Sequence, residues 1–291
     1  MFKYKIEQNS DEEFKSKYEI LNQVAQGSYG KVYKAKDKKT DELRAIKFID
    51  KERIKYNLRN ENNSNDIEEK FKEFQINFLN EIKLMKVCEN ENSIKYYEYY
   101  NTNENFIIIM ELCDTNLQSV LNERPSAFNE GEIREILNQL NNTFKIMNDK
   151  KIIHRDLKLD NILIKYENNK KIVKLADYGI SKQLISLSKC FTHAGTILTM
   201  APEVLKCDKG YTYKCDLWSL GVIIYQLYFK DYPYKGGNEY AIITNIEKNG
   251  QKILKRSNDS KLDNLIRNLL IEDSDKRYTW SQYFNDEFFS N

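Results

Sequence analysis

The segment His154-Arg155-Asp156-Leu157-Lys158-Leu159-Asp160-Asn161 sets a carboxylate, a lysine and a carboxamide within one short stretch. Asp177-Tyr178-Gly179 adds a further carboxylate sixteen residues after Asn161. Oxygen donors of this kind suit magnesium, a hard cation. A lysine beside them supplies a compact positive charge. Together they are the equipment for setting a magnesium-bound nucleotide and a hydroxyl in line. Phosphoryl transfer needs that positioning and the neutralisation of charge more than it needs covalent chemistry.

A phosphate also needs a cradle. Val24-Ala25-Gln26-Gly27-Ser28-Tyr29-Gly30-Lys31-Val32 offers two glycines, where backbone without Cβ can close over phosphates and present N–H groups. Alone, Gly27-x-x-Gly30 fits any hairpin. It gains weight from Ala45-Ile46-Lys47 downstream, which places a lysine in an apolar, alternating stretch.

The elements that must position these residues are legible as periodicity. Tyr18–Val24, Lys31–Lys36 and Arg44–Ile49 read as strands of a small antiparallel sheet. Phe106–Leu112 is a continuous apolar run, as expected of a strand covered on both faces. After Leu117 the pattern changes. Ile133, Ile136, Leu137, Leu140, Phe144 and Met147 make one face of an amphipathic helix. Leu217–Phe229 is apolar nearly all round, so it reads as a buried helix. Leu262–Leu270 and Ser281–Phe289 give two more helical patterns. Lys51–Gln75 stands apart, being charged and rich in asparagine. It reads as a solvated loop leading into a charged helix, or as a docking insertion.

Composition bounds the rest. The 291 residues suit one large domain or two lobes, and 41% hydrophobic content is enough for a substantial core. The 46 basic and 44 acidic residues nearly cancel, leaving +2, so neither nucleic acid nor an anionic membrane is expected as a partner. Five cysteines without a C-x-x-C pair argue against structural zinc and a disulfide framework. The N-terminus has no apolar stretch of signal-peptide type, Phe2 stands where myristoylation needs glycine, and no apolar run is long enough to span a bilayer. A soluble, cytoplasmic protein is expected.

In order and spacing these segments resemble the motifs of protein kinases, from about Lys17 to Phe289. The resemblance implies an α+β, bilobal fold. It has a small N-terminal lobe of antiparallel sheet plus a helix (residues 17–110), a hinge (111–116) and a larger, mainly helical C-terminal lobe (117–289), with an insertion at 51–75. It implies ATP and magnesium as cofactors. Val24, Ala25, Gly27 and Gly30 match the loop over the phosphates, with Ala25 where the family has its first glycine. Lys47 would grip the α- and β-phosphates, paired with Glu81 of Phe78-Leu79-Asn80-Glu81-Ile82. The gap of 34 residues between them is lengthened by the insertion, and Glu73 is a competing partner. Val32, Ala45 and Leu163 match the positions that sandwich adenine, where simple core packing is the alternative reading. Met110 would back that pocket, and the backbones of Glu111 and Cys113 would hydrogen-bond the base.

For the chemistry, Asp156 matches the residue that orients the acceptor hydroxyl, Lys158 the γ-phosphate contact, and Asn161 and Asp177 the magnesium ligands. Tyr178 replaces the usual phenylalanine. His154 matches a packing position, not a base. The Asp-x-Lys-x-x-Asn form, with Thr196 downstream, resembles serine/threonine enzymes, so protein Ser/Thr hydroxyls are the implied acceptors. Arg155 before the catalytic aspartate marks kinases controlled by activation-segment phosphorylation. Thr192 falls at the usual site, within reach of Arg155 and Lys182, unless it is an ordinary exposed threonine. Glu203 should pair with Arg277, and Asp216 should cap its helix and hold the catalytic-loop backbone. Asn116 stands where basophilic relatives often place an acid. Two rival readings are a pseudokinase scaffold, suggested by Ala25 and Tyr178, and a small-molecule or lipid kinase, opposed by Met200-Ala201-Pro202-Glu203.

Overall fold

The computed structural model describes residues 10–26, 30–61, 67–177, 197–206 and 212–290, without the side chains of residues 60, 61 and 81. These divide into two compact units. One holds residues 10–89 and Ile94–Asp114; the other holds Asn90–Ser93, 115–177 and 197–290.

In the first unit, helix α1 (Asp11–Lys17) precedes a sheet of β1 (Tyr18–Gln26), β2 (Gly30–Asp37), β3 (Leu43–Asp50), β4 (Tyr96–Asn101) and β5 (Asn105–Glu111). The order is β1-β2-β3-β5-β4, antiparallel throughout. Ile107-Ile108-Ile109 fills the strand β5 with β-branched side chains, which suit a pleated and covered surface, and Phe106–Glu111 are all buried. Register then sorts the two faces. Ala25, Val32, Lys47 and Ile108 are successive cross-strand partners, and Ala45 is paired with Met110. Partners share a face and so do residues two apart, so Val32, Ala45, Lys47 and Met110 lie on one side.

The opposite side carries Ala35, Ile46, Ile107 and Ile109, buried with Phe14, Tyr18 and Tyr100. Phe14 pins α1 there, its ring 5.6 Å from Phe48 and 5.5 Å from Tyr100. Ser10 caps α1 by accepting from Glu13 N–H at 3.0 Å. This helix lies before the stretch that sequence periodicity marks as structured. Below it, Tyr18 and Tyr100 both donate to Glu98 Oε1, at 2.7 and 2.9 Å. Burial opposes ionisation of Glu98, but these hydrogen bonds and the charge of Lys17 outweigh it and hold the carboxyl below its ordinary value.

Residues 51–61 correct the expectation of a solvated loop. Lys51–Glu61 is helix α2, begun by Asp50, whose Oδ1 accepts from Arg53 N–H at 3.0 Å. Ile54 and Leu58, four apart, are fully buried. Helix α3 (Ile67–Val87) buries Phe71, Phe74, Phe78, Ile82 and Met85, a spacing of three and four that makes one apolar stripe.

The second unit contains α4 (Leu117–Glu123), α5 (Glu130–Asp149), α6 (Pro202–Leu205), α7 (Lys214–Phe229), α8 (Glu239–Asn249), α9 (Ser260–Leu269) and α10 (Trp280–Phe284). Its small sheet has order β6-β7-β8, from Thr115–Asn116, Ile162–Glu167 and Lys170–Leu175. Asn168 and Asn169, both at positive φ, form the β7–β8 turn, as asparagine does at low cost. Helix α5 starts with a capping box of Asn129 and Glu132. Cys215–Leu227 of α7 is buried all round, as its sequence foretold. Gly221 permits the close approach of α9, since a Cβ there would lie 2.8 Å from Leu269 Cβ. The helix expected over 281–289 is instead α10 and a separate 3₁₀ turn, Glu287–Phe289. Asp286 breaks it by capping that turn, accepting from Phe288 N–H at 2.9 Å. Among the described residues no helix is long and apolar enough to cross a membrane.

Candidate active site

The site is built outward from Asp216, a fully buried carboxylate in the first turn of α7. Its Oδ2 accepts from His154 N–H at 2.7 Å and its Oδ1 from Arg155 N–H at 2.8 Å. Such charge-assisted bonds are the strong ones. They hold Arg155 at φ +67°, a left-handed conformation that costs a non-glycine residue roughly 1 kcal/mol or more. Capping α7 is not part of its role: Tyr213 is the N-cap residue and caps with backbone alone.

His154 is fully buried, and both ring nitrogens are used. Nε2 lies 3.1 Å from Ala176 O, and Nδ1 lies 3.3 Å from Asp156 N–H. One tautomer satisfies both, with Nε2–H donating and Nδ1 accepting. The ring therefore ties the loop to residue 176, beside Asp177. Ala176 N–H in turn donates to Asn161 O at 2.9 Å. Asp177 follows at φ +56°.

The next three side chains converge. Lys158 Nζ lies 3.0 Å from Asp156 Oδ2. Asn161 Nδ2 donates to the same Oδ2 at 3.0 Å and to Asp156 O at 2.8 Å. The 3₁₀ turn Leu159–Asn161 brings Asn161 back over the loop, while Asp160 stays exposed. The asparagine amide is oriented by its nitrogen, so its Oδ1 points the opposite way across a planar group. The second unit thus brings together Asp156, Lys158 and Asn161, with Leu163 half-buried on β7.

The first unit holds the other set. Lys47 and Val32 are half-buried cross-strand partners, and Ala45, Met110 and Glu111 are buried. Cys113 is half-buried, and Val24 and Ala25 stand exposed on β1. Gly30 has a reason of its own: a Cβ there would meet Phe48 O at 1.7 Å, so the β2–β3 pairing itself requires glycine. Glu81 belongs to α3, directly before buried Ile82, and Glu73 on the same helix is exposed. Gly27, Tyr178, Lys182, Thr192, Thr196 and the Glu81 side chain lie outside the described residues.

Three supports accompany the site. Arg277, fully buried, meets Glu203 with two bonds of 2.7 and 3.0 Å. Its other donors reach Ile271 O, Lys214 O and Glu272 O, so all five are engaged. Asn116 caps α4, accepting from Ser119 N–H at 2.8 Å, which gives it a structural task. Periodicity gave no warning of the third. Asn92 O accepts from Leu175 N–H at 2.9 Å and from Thr143 Oγ1 at 2.9 Å, and Asn92 Nδ2 donates to Val173 O at 3.0 Å. These bonds pin β8, the strand that leads to Asp177. A polar Asn-Glu-Asn-Ser stretch between helix and strand was the only signal, and it hid in a chain full of asparagine.

Residues 18–289 match the protein kinase domain family. The chain is 31% identical over 274 residues to serine/threonine-protein kinase atg1 of Dictyostelium discoideum, covering 93% of this chain and 39% of that protein. It is 33% identical over 249 residues to calcium-dependent protein kinase 5 of Plasmodium berghei, covering 86% of this chain and 41% of that one. The chain spans about two fifths of the length of these relatives.

Proposed function

This chain belongs to the protein kinase domain family, and we propose that it transfers the γ-phosphate of ATP to serine or threonine hydroxyls of protein substrates with magnesium. The observation that carries the reading is the convergence of Lys158 and Asn161 on Asp156 Oδ2, both at 3.0 Å, in a loop held by buried Asp216. A carboxylate fixed in this way orients a hydroxyl and accepts its proton. Lys158 adds a positive charge beside it for the transferring phosphoryl group.

The donor set fits magnesium. Asn161 Oδ1 and the carboxylate of Asp177 are hard oxygen ligands, and Asn161 is pre-oriented by the bonds of its nitrogen. Magnesium, when bound with ATP, neutralises phosphate charge. In the first unit Lys47 would hold the α- and β-phosphates and Glu81 would pair with it. Val32, Ala45 and Leu163 would contact adenine, with Met110 behind. Glu111 N–H donates to Lys95 O at 2.9 Å, so the hinge contact at this residue falls to its carbonyl, and the next to the backbone of Cys113. Val24, Ala25, Gly27 and Gly30 would cover the phosphates. Control by phosphorylation of Thr192, read by Arg155 and Lys182, and a cytoplasmic location complete the reading.

Incubation with γ-labelled ATP, magnesium and a generic protein mixture tests it. Label on serine and threonine that vanishes with EDTA is expected. No incorporation by phosphorylated protein would favour a binding scaffold, and label on lipid alone would favour the third reading.

A further inference from the structure

Helix α2 occupies the connection between β3, which carries Lys47, and α3, which carries Glu81. Its first residue opens the helix and turns back on the sheet. Lys51 Nζ donates to Asn101 Oδ1 at 2.7 Å and to Thr102 O, and it lies 4.6 Å from the centre of the Phe106 ring. Lys51 N–H donates to Glu104 O at 2.9 Å. One turn later Lys55 Nζ lies 4.9 Å from the Phe71 ring and 3.5 Å from Glu68 of α3.

The two rings under these lysines belong to one aromatic set. Phe106 of β5 meets Phe71, Phe74 and Phe78 of α3 at 6.3, 5.8 and 4.7 Å. Phe71–Phe74 and Phe74–Phe78 are stacked at 6.4 Å each. Phe106 pairs with Ile49 and shares the face of Lys47. The phenylalanine set therefore fixes α3 on the strand face that carries Lys47, and α2 places one ammonium against Phe106 and another against Phe71. A cation over an aromatic ring is attracted by the ring quadrupole, more so when partly desolvated. Burial holds the Lys51 pKa below its ordinary value, in keeping with that partly apolar seat.

We propose that α2 is a positioning element for the phosphate grip: Lys51 and Lys55 clamp the phenylalanine set so that α3, the helix that carries Glu81, keeps its place on the sheet face of Lys47. The proposal rests on the kinase reading for its effect on activity. Lys51 and Lys55 act through α3 and touch no substrate.

The test is the double variant Lys51→Met and Lys55→Met, which keeps the aliphatic stems and removes both charges. Phosphotransfer by the otherwise unchanged chain should lose kcat by on the order of tenfold, with KM for the protein substrate unchanged. Lys51→Arg with Lys55→Arg should restore it, because guanidinium also stacks on aromatic rings. In a Glu81→Gln background the same Met pair should cost less than about twofold, the mark of acting through one unit. An equal loss in both backgrounds, or no loss in either, overturns the proposal. Hydrogen exchange gives a readout that does not depend on activity. Amides of α3 should exchange about tenfold faster in the Met variant while those of α5 are unchanged. Unchanged exchange in α3 overturns the proposal. A wild-type chain without phosphotransfer contradicts the kinase reading alone, and the exchange of α3 then decides the positioning.

Discussion

Asp216 handles no phosphate in this account, yet two backbone N–H groups and a left-handed arginine depend on it. Asp216→Ala removes the acceptor of both backbone donors, one of them buried, which should cost about 2–4 kcal/mol and lower activity through the loop it holds. Thermal unfolding beside a kcat measurement checks this, and an unchanged midpoint would contradict it. Arg277→Lys should also destabilise, by roughly 3 kcal/mol, because an ammonium cannot supply five donors in a planar fork. A fall in the urea midpoint at constant slope is the expected result. At this scale the sequence was most informative. Asp156, Lys158, Asn161, Glu203, Arg277 and Asp216 sit in contiguous, chemically specific motifs, and chemistry of that kind depends on residue type. Asn92 was hidden because its bonds to β8 are made to backbone groups, Leu175 N–H and Val173 O, which leave no trace in the choice of those residues.

At the scale of elements, β2, β3 and α5 followed from the period of their apolar residues, and β5 and α7 from continuous apolar runs of strand and helix length. Helix α2 did not. Its described side chains bury Ile54 and Leu58 among lysines, arginines and asparagines, so its composition reads as solvated while its stability comes from tertiary packing and the Asp50 cap. Helix α1 was missed for a similar reason, because one phenylalanine does the docking. The join below it has a pH signature. The Glu98 carboxyl is held below its ordinary value in the folded state. Its stabilising contribution is present above about pH 4.3, the usual glutamate value, and is lost as pH falls through the folded value. Unfolding midpoints between pH 7 and pH 3 should fall less steeply for Glu98→Gln than for the wild-type chain. Parallel curves would contradict the sign.

At the scale of the whole chain, the family match runs over residues 18–289, and both units carry residues that the kinase reading needs. Lys47, Val32 and Met110 come from the sheet unit; Asp156, Asn161 and Asp177 come from the helical one. Control is proposed to enter through Thr192. Thr192→Ala should therefore lower activity by about 10-fold or more relative to the phosphorylated wild-type chain, if the phosphate adds charge-assisted bonds of ordinary strength. Equal activity in the two would remove the switch from the account and leave the chemistry standing. The central claim is transfer itself, with Asp156 as the residue that orients the hydroxyl. The most direct measurement is single-turnover transfer from magnesium-ATP to a serine/threonine protein substrate by the wild-type chain and by Asp156→Asn, both shown folded by their unfolding midpoints. The account predicts transfer by the wild-type chain and a loss of about 10²–10⁴-fold in the variant; equal rates in the two proteins would contradict it.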